Sequence, residues 1–462
     1  MHAGRVRSGC SLNPLSHVWL CFALSAVAGA AESPAPFVKL PPIGIEATDV
    51  ATRAISFDEV LEVALDQNLD LELARAEQEL ARARARGTAS TLVPTLEFGG
   101  STRQTDGRVQ GSFGELRDVR FDTKSAHGAL SYRVNLGARI LDTLAARKEL
   151  DAAVYGVLNT RQKLLLRVAE LFNDLSLARV GFRIAKERAD DSEQFLRIAS
   201  ARQRSGIGLG SDVALARAEL AADRQDLIQA REIWETTSVR LAVVLRLDPG
   251  IFLVPAQERL EPLEVAAPIA GKEAERNARH RPDVEAARRR QDAASKRSSS
   301  AWWDLAGPEL SAELRETYIG DSVDDTGDRT NAGVFLGWTL SLEKFSAILE
   351  RRAERTSAHL EALRTEERAA GESQRALSTL KASRQRLPLA QNGLEAAQAS
   401  HRISLAQFKS GTAIALEVFD AADRLAGAQL DLARSIVNYN LSQVRLLAAT
   451  GVLQLDQLRS TQ

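Results

Sequence analysis

With 462 residues, 44% of them hydrophobic and 26% charged, the chain is long enough for several domains with a buried core. Its 60 basic and 61 acidic residues nearly cancel, leaving a net charge of −1, which excludes the bulk positive charge expected of a nucleic-acid binder. The six histidines are scattered and no H-E-x-x-H, G-x-x-x-x-G-K or G-x-S-x-G pattern occurs. No enzyme activity, metal site or cofactor is therefore expected.

Residues 1–30 read as a signal peptide: a basic stretch, MHAGRVRSGCSLNPLSH, then the apolar run VWLCFALSAVAGA. That run ends in Ala28-Gly29-Ala30, small residues at the positions a signal peptidase reads, and cleavage is expected after Ala30. It is well short of the ~20 residues a spanning helix needs. Cys10 and Cys21 both lie here and no lipid attachment is expected, so no disulfide or thiol chemistry is expected of the mature chain. Residues 31–54 form a Pro-rich tail. No later stretch offers ~18 consecutive apolar residues, so no transmembrane helix is expected.

From residue 55 the chain repeats itself. NLDLELARAEQELARARA from Asn68 matches RPDVEAARRRQDAASKRS from Arg281, and LVPTLEFGGS matches AGPELSAELR with Pro94 against Pro308. The two copies span 55–250 and 273–452, with a Pro-bearing linker at 251–272 and a C-terminal tail at 453–462. Each copy has the same order: a helix ending near Pro94 or Pro308, two short alternating segments around a polar loop, a long rod, a Gly turn and a returning helix. The rods rest on Pro punctuation. No Pro occurs between Pro94 and Pro249, between Pro308 and Pro388, or after Pro388. A Pro in a helix interior costs ~3 kcal/mol, so Pro-free runs rich in Ala and Leu permit very long helices. Residues 137–204 would make one rod of roughly 100 Å at 1.5 Å per residue.

The alternating segments predict strands. In ALSYRVNL, Leu130, Tyr132, Val134 and Leu136 alternate with polar residues; in VFLGWTLSL, Val334, Leu336, Trp338, Leu340 and Leu342 alternate with residues that include Gly337, Thr339 and Ser341. ELSAELRETY alternates likewise, and the segment from Thr95 does so most weakly. Half-buried hairpins of a soluble domain are one reading. The export signal, strand lengths near the ~9–11 residues of a spanning strand, and one apolar face against Arg, Asn and Glu favour lipid on one side and water on the other. The lipid-facing residues would be Leu130, Tyr132, Val134, Leu336, Trp338 and Leu340. Four strands cannot satisfy their backbone alone in a membrane and would close a barrel with other copies of the chain. Trp302 and Trp303, just before Pro308, suit either a membrane-interface belt or packing where helix meets strand.

The Gly turns are RSGIGLGSDVALARAEL and KSGTAIALEVFDAADRL, with Gly206 corresponding to Gly411. Gly takes the left-handed backbone that ends a helix. Ser211 and Asp212 suit the first turn of the returning helix. Glu417 and Asp420, three apart, share a helix face, which is either simply solvated or functional.

Both turns, RPDVEAA, the helix-to-strand VPTL and the closing NYNLSQVRLLAATGVL, taken with the duplication and the export signal, resemble the TolC family of outer-membrane efflux and secretion channels. The resemblance covers residues 55–452. It implies a mainly α fold with β: a homotrimer sharing a 12-stranded transmembrane β-barrel in outer-membrane lipid, continued by a hollow α-helical coiled-coil barrel in the periplasm. It implies a passive duct of a tripartite system, docking to a periplasmic adaptor (a membrane fusion protein) and an inner-membrane pump, to export small molecules or proteins. By the same resemblance, Glu417 and Asp420 would form the narrowest ring of the pore. Gly206, Asp212, Val213, Gly411 and Val418 would form the tip turns and the adaptor contact. In the best-known member the acid at Asp212 bonds an Arg, and a Tyr assists; here those positions hold Ala413 and Phe408, so that latch is missing. Lys409 is a candidate substitute, with packing alone the other means of closure. The alternative is a soluble periplasmic coiled-coil adaptor, which shares the export signal and the helical hairpins but needs no duplicated strand pairs.

Overall fold

A computed structural model describes residues 51–256, 260–263, 271–321 and 326–459. The signal peptide, both cysteines and the tail up to residue 50 lie outside the described residues.

Capping side chains set the chain's first turns. Strand β1 (Thr52–Ile55) leads to Ser56, whose hydroxyl accepts the Glu59 N–H and starts helix α1 (Phe57–Gln67). Asn68 ends α1 and caps helix α2 (Leu69–Ser90), its Oδ1 accepting the N–H groups of Asp70 and Leu71 at 2.9 and 3.3 Å. After Pro94 the hairpin β2 (Thr95–Gln110) and β3 (Leu116–Val134) rises and returns. Asn135 then caps helix α3 (Leu136–Arg204) through the Ala138 N–H, and its amide reaches back to the carbonyls of Trp303 and Gly307 at 2.8 and 3.1 Å. Helix α4 (Gly210–Leu245) returns to strand β4 (Phe252–Pro255), which pairs in parallel with β1. Helices α5 (Gly271–Ala278) and α6 (Pro282–Ala306), strands β5 (Glu309–Gly320) and β6 (Thr326–Gly337), then helices α7 (Leu342–Ser410), α8 (Ala415–Ala449) and α9 (Leu455–Arg459) complete the order.

Helices α3 and α7 are each 69 residues long, about 100 Å at 1.5 Å per residue. The first matches the rod expected at 137–204. The second runs through Pro388, which the Pro punctuation did not anticipate. Pro388 and Arg384, whose carbonyl loses its N–H partner, are both exposed, so water can reach the interrupted turn. Five residues earlier the buried Ser383 hydroxyl meets that of Ser442 on α8 at 2.8 Å, tying the helix to its neighbour just before the break.

The helices lie in a row: α3 packs on α4 and α8, and α8 on α7, while nearer the strands α3 lies between α2 and α6, and α6 packs on α7. No helix among the described residues is long and apolar enough to cross a membrane. The largest core gathers Ile55, Val60, Leu61, Leu165, Leu175, Leu241, Leu245, Leu253 and Leu458. Burying such a side chain is worth about 1.5–3 kcal/mol each. Leu453 and Leu458, assigned above to the C-terminal tail, contribute to it, as does Ile55, the last residue of β1.

The second sheet is antiparallel in the order β2-β3-β5-β6. Its register puts Leu96, Phe98, Leu130, Leu310, Leu314, Val334 and Leu336 on one face. Glu97, His127, Arg133, Glu309, Glu313 and Arg315 occupy the other, where His127 faces Glu97 and Arg133 faces Glu309, each at 3.6 Å. On the apolar face Glu316 accepts the Thr330 hydroxyl at 2.5 Å, and Asp328 stands opposite Tyr318.

Three residues expected to face lipid are placed otherwise. Strand β6 ends at Gly337, because its partner β5 starts at Glu309, directly after Pro308, which has no N–H to extend the ladder. Trp338 and Leu340 therefore lie beyond the strand, in the exposed connection to α7. Val134 shares the parity of Leu130 but is only 2% exposed, because the Asn135 bonds draw this end of β3 onto the end of α6. Leu136, expected to continue the strand, starts α3 instead. Trp303 packs where α6 meets α3: a Cβ on Gly137 would come within 2.5 Å of its ring.

Candidate functional site

The far ends of the two helical hairpins are built from local backbone chemistry. Helix α3 stops where Gly206 takes φ +76°, and the N–H groups of Ile207 and Gly208 both close on the Arg202 carbonyl, at 3.1 and 3.0 Å. A Cβ on Gly208 would sit 2.9 Å from the Arg202 side chain and the Gln203 nitrogen, so this second glycine is sterically required. Helix α7 stops at Gly411, φ +84°, with the Thr412 N–H on the Gln407 carbonyl at 2.9 Å. Both expected Gly turns are therefore present. Asp212 lies in the first turn of α4 but makes no capping bond, and among the described residues no ion pair joins it to Lys409.

Between the hairpins sits a compact apolar cluster. Phe195 of α3 contacts Phe408 of α7 and Phe419 of α8, each with ring centroids 4.6 Å apart, and Val213, Ala216, Ala415 and Val418 close around them. Phe408, Val213 and Val418 are thus buried inside the chain. The two valines shape the tips from within and offer no side chain to a partner. The exposed apolar residues there are Ile207, Leu209, Ile414 and Leu416, 55–74% exposed, none of which the sequence reading singled out. Arg202 crosses from the first hairpin to the second: its guanidinium donates to the Phe408 carbonyl and stacks 4.8 Å from the Phe408 ring centroid.

Further from the tips, an ionic cluster joins three helices. Arg188 of α3 donates from Nε to Asp223 of α4 at 2.5 Å and from Nη2 to Asp423 of α8, and Ser192 donates to the other Asp223 oxygen. Asp223 is 2% exposed. Burial pushes the Arg188 pKa down, but hydrogen bonds and charge from Asp223 and Asp423 outweigh it and hold the guanidinium above its usual value. Nearby, a cleft between α3, α7 and α8 is lined by Asp191, His401, Leu405 and Lys409. Burial pushes the Asp191 carboxyl up, with His401 opposing and Asp190 adding to the rise.

Glu417 and Asp420 are exposed on one face of α8, as their spacing implies. Asp420 is bonded one turn on to Arg424 at 2.7 Å, a pairing the sequence reading missed although the i,i+4 spacing was legible. Lys409 is exposed, and Ala413 lies in the turn. Among the described residues no group of three or more His, Cys, Asp or Glu side chains converges to hold a metal.

The chain is similar to a pyoverdine export outer membrane protein of Pseudomonas putida, 28% identical over 246 residues, 52% of this chain and 51% of that one. It is also similar to a protein of the same description from Pseudomonas aeruginosa, 26% identical over 392 residues, 82% of this chain and 81% of that one. The fold matches the outer membrane protein VceC of Vibrio cholerae with a TM-score of 0.76 at 19% identity, over 86% of this chain and 96% of that one. It matches the CmeC outer membrane channel of Campylobacter jejuni with a TM-score of 0.76 at 17% identity, over 87% and 88%. The pattern of the outer membrane efflux protein family covers residues 60–245 and 275–452, both strand hairpins and all four long helices, and the chain belongs to that family.

Proposed function

We propose that three copies of this chain close one duct through the outer membrane and periplasm, four strands from each copy making a 12-stranded barrel. The observation that carries this is the four-stranded sheet. It has an apolar face, and the outer edges of its end strands β2 and β6 have no partner among the described residues. In lipid such edges must be paired, and two free edges per chain are what a ring of copies consumes. The helical row supports the same closure. Its flanking helices keep apolar residues exposed, Ile228 and Ile233 on α4 and Leu389 and Ile403 on α7, which a neighbouring copy would cover. The matched element order and the equal lengths of α3 and α7 support two internal repeats with the boundaries given above. In detergent the protein is expected at three chains per particle by light scattering. A stable monomer with full strand content would refute the closure.

The duct is passive. Its energy comes from an inner-membrane pump, reached through a periplasmic adaptor that docks on the tips at Gly206 and Gly411. The exposed Ile207, Leu209, Ile414 and Leu416 supply the apolar contacts of that docking. Gly206→Arg or Gly411→Arg would abolish adaptor crosslinking and export while leaving the trimer intact. Glu417 and Asp420 line the pore's narrowest ring. With Arg424 bonded to Asp420, each chain brings a net charge of −1 to this stretch, a weaker cation filter than two free acids per chain would make. The relatives' description makes pyoverdine the first cargo to test.

A further inference from the structure

The strands do not end at one height. β3 pairs with β5 only from Lys124 to Val134, while its residues 116–123 pair with β2 alone. Those eight residues carry a two-stranded ribbon past the end of β5, about 26 Å at ~3.3 Å per residue.

Along this ribbon the apolar side changes. Lower down, Leu96, Phe98 and Leu130 mark the apolar face. Beyond Thr102 and Lys124 that same face becomes charged and satisfies itself: Arg120 faces Asp106 at 3.6 Å and Arg108 faces Asp118 at 3.3 Å. The opposite face, which lower down carries Glu97 and Arg133, gathers an apolar patch: Thr105 stands opposite Phe121 and Gly107 opposite Val119, with Val109 beyond them, while Arg103 and Arg117 flank the patch on either side. Phe121 is 48% exposed and has no partner across the ribbon's free face. Gly107 takes φ +141°, a backbone that side-chain-bearing residues rarely adopt, although nothing lies within 4 Å of a Cβ there. Glycine is thus kept for its conformation, at a point where the ribbon departs from regular strand geometry.

A ribbon that only entered water would keep both faces polar. Here the lipid-side face turns charged where lipid ends, and the channel-side face carries an apolar patch where the barrel ends. By the threefold closure proposed above, on which this step rests, three such apolar faces look toward one axis. Twelve strands ~4.8 Å apart and tilted ~40° give a barrel radius on the order of 12 Å, less than half the ribbon's length. We propose that the three β2–β3 ribbons lean over the outer mouth and pack Val119 and Phe121 of each copy against those of the others, forming a lid at the cell-surface end of the duct.

Single cysteines test this in the full chain, whose own Cys10 and Cys21 lie in the segment expected to be removed. Val119→Cys and Phe121→Cys on the apolar face are compared with Asp118→Cys and Arg120→Cys on the charged face. With oxidant on intact cells, the first pair is expected to give crosslinked dimers on denaturing gels at least ~10-fold more than the second. Equal crosslinking, or preference for the charged face, overturns the lid, as does none at any site while detergent particles still hold three chains. Particles of one chain instead overturn the trimer itself. A second variant replaces residues 107–119 by a two-residue Asn-Gly turn closed by the Asp106–Arg120 pair. In this background, labelling of Arg133→Cys, on the channel face, by a bulky maleimide added to intact cells is expected to rise at least ~10-fold; unchanged labelling refutes a lid.

Discussion

Arg188→Met isolates what the ionic cluster between the hairpins does. In the parent, Asp223 is 2% exposed and both its oxygens are bonded, one by Arg188 and one by Ser192. Methionine removes the charge and keeps most of the volume. The carboxylate then stays buried with one hydroxyl donor, and breaking a buried pair in this way costs about 3–5 kcal/mol. Because Ser192 remains, the lower end applies, about 3 kcal/mol, or a factor of roughly 150 in equilibrium at 1.4 kcal/mol per tenfold. Asp423 sits at the other end of Arg188 but is 59% exposed, and its loss is worth at most about 1 kcal/mol. The expected order is therefore Asp423→Asn small, Arg188→Met large, and Arg188→Met with Asp223→Leu close to the parent, since replacing a whole buried pair by apolar groups is nearly neutral. Denaturant midpoints of the purified protein in detergent, followed by far-UV circular dichroism, give all three values. If Arg188→Met matches Asp423→Asn, or if adding Asp223→Leu recovers nothing, the buried carboxylate does not govern this contact.

Asp191→Asn should raise stability at neutral pH. Burial holds the folded pKa of Asp191 above its ordinary value of 3.8, with His401 opposing and Asp190 reinforcing. The folded state therefore keeps a proton the unfolded state has lost, so this group's contribution falls as pH rises from 3.8 through the folded pKa and is flat above it. The variant's advantage should vanish below pH 3.8, and an advantage independent of pH would refute this. Leu336→Arg should reduce assembly in the outer membrane by the ~2–4 kcal/mol of a lipid-facing Arg near the midplane, read as surface-exposed trimer per cell; silent replacement would place Leu336 away from lipid. Arg424→Ala should increase cation selectivity in a planar bilayer, and Glu417→Ala with Asp420→Ala should weaken it; unchanged selectivity in both would put these side chains on the outer surface.

The long helices and tight reversals were legible because their signals are local. A Pro-free run from Leu136 to Arg204 and glycines at 206 and 411 need no knowledge of the rest of the chain. Pro388 shows the limit of that logic. A proline's cost is fixed by the helix, but whether the chain stops there depends on what faces the broken turn, and here it is water. Strand ends failed for a related reason. The alternation around Val134 and Trp338 continues past the ladder, but the ladder ends where Pro308 stops β5 and Asn135 starts α3. The residues that join the hairpins were missed altogether. Arg188, Asp223 and Asp423 are spread over 235 positions, and in a chain with 60 basic and 61 acidic residues no spacing marks them out.

How the two hairpins hold together without the Arg and Tyr expected at Ala413 and Phe408 follows from what replaces them. A tyrosine hydroxyl there would need a polar partner, whereas Phe408 is 2% exposed, and its ring packs on Phe195 in the cluster that also holds Phe419. The hydroxyl-free ring makes this contact one of apolar packing, and Arg202 bonds the backbone of Phe408. The buried ion pair lies away from the tip, at Arg188 and Asp223, where burial makes it costly to break from one side. Aromatic pairs add about 0.5–1.5 kcal/mol beyond their buried area, and they are insensitive to salt and to pH. Surface ion pairs are neither. A contact built this way yields to a partner that competes for the same apolar surface. Ile207, Leu209, Ile414 and Leu416, exposed beside that cluster, are where such a partner would begin.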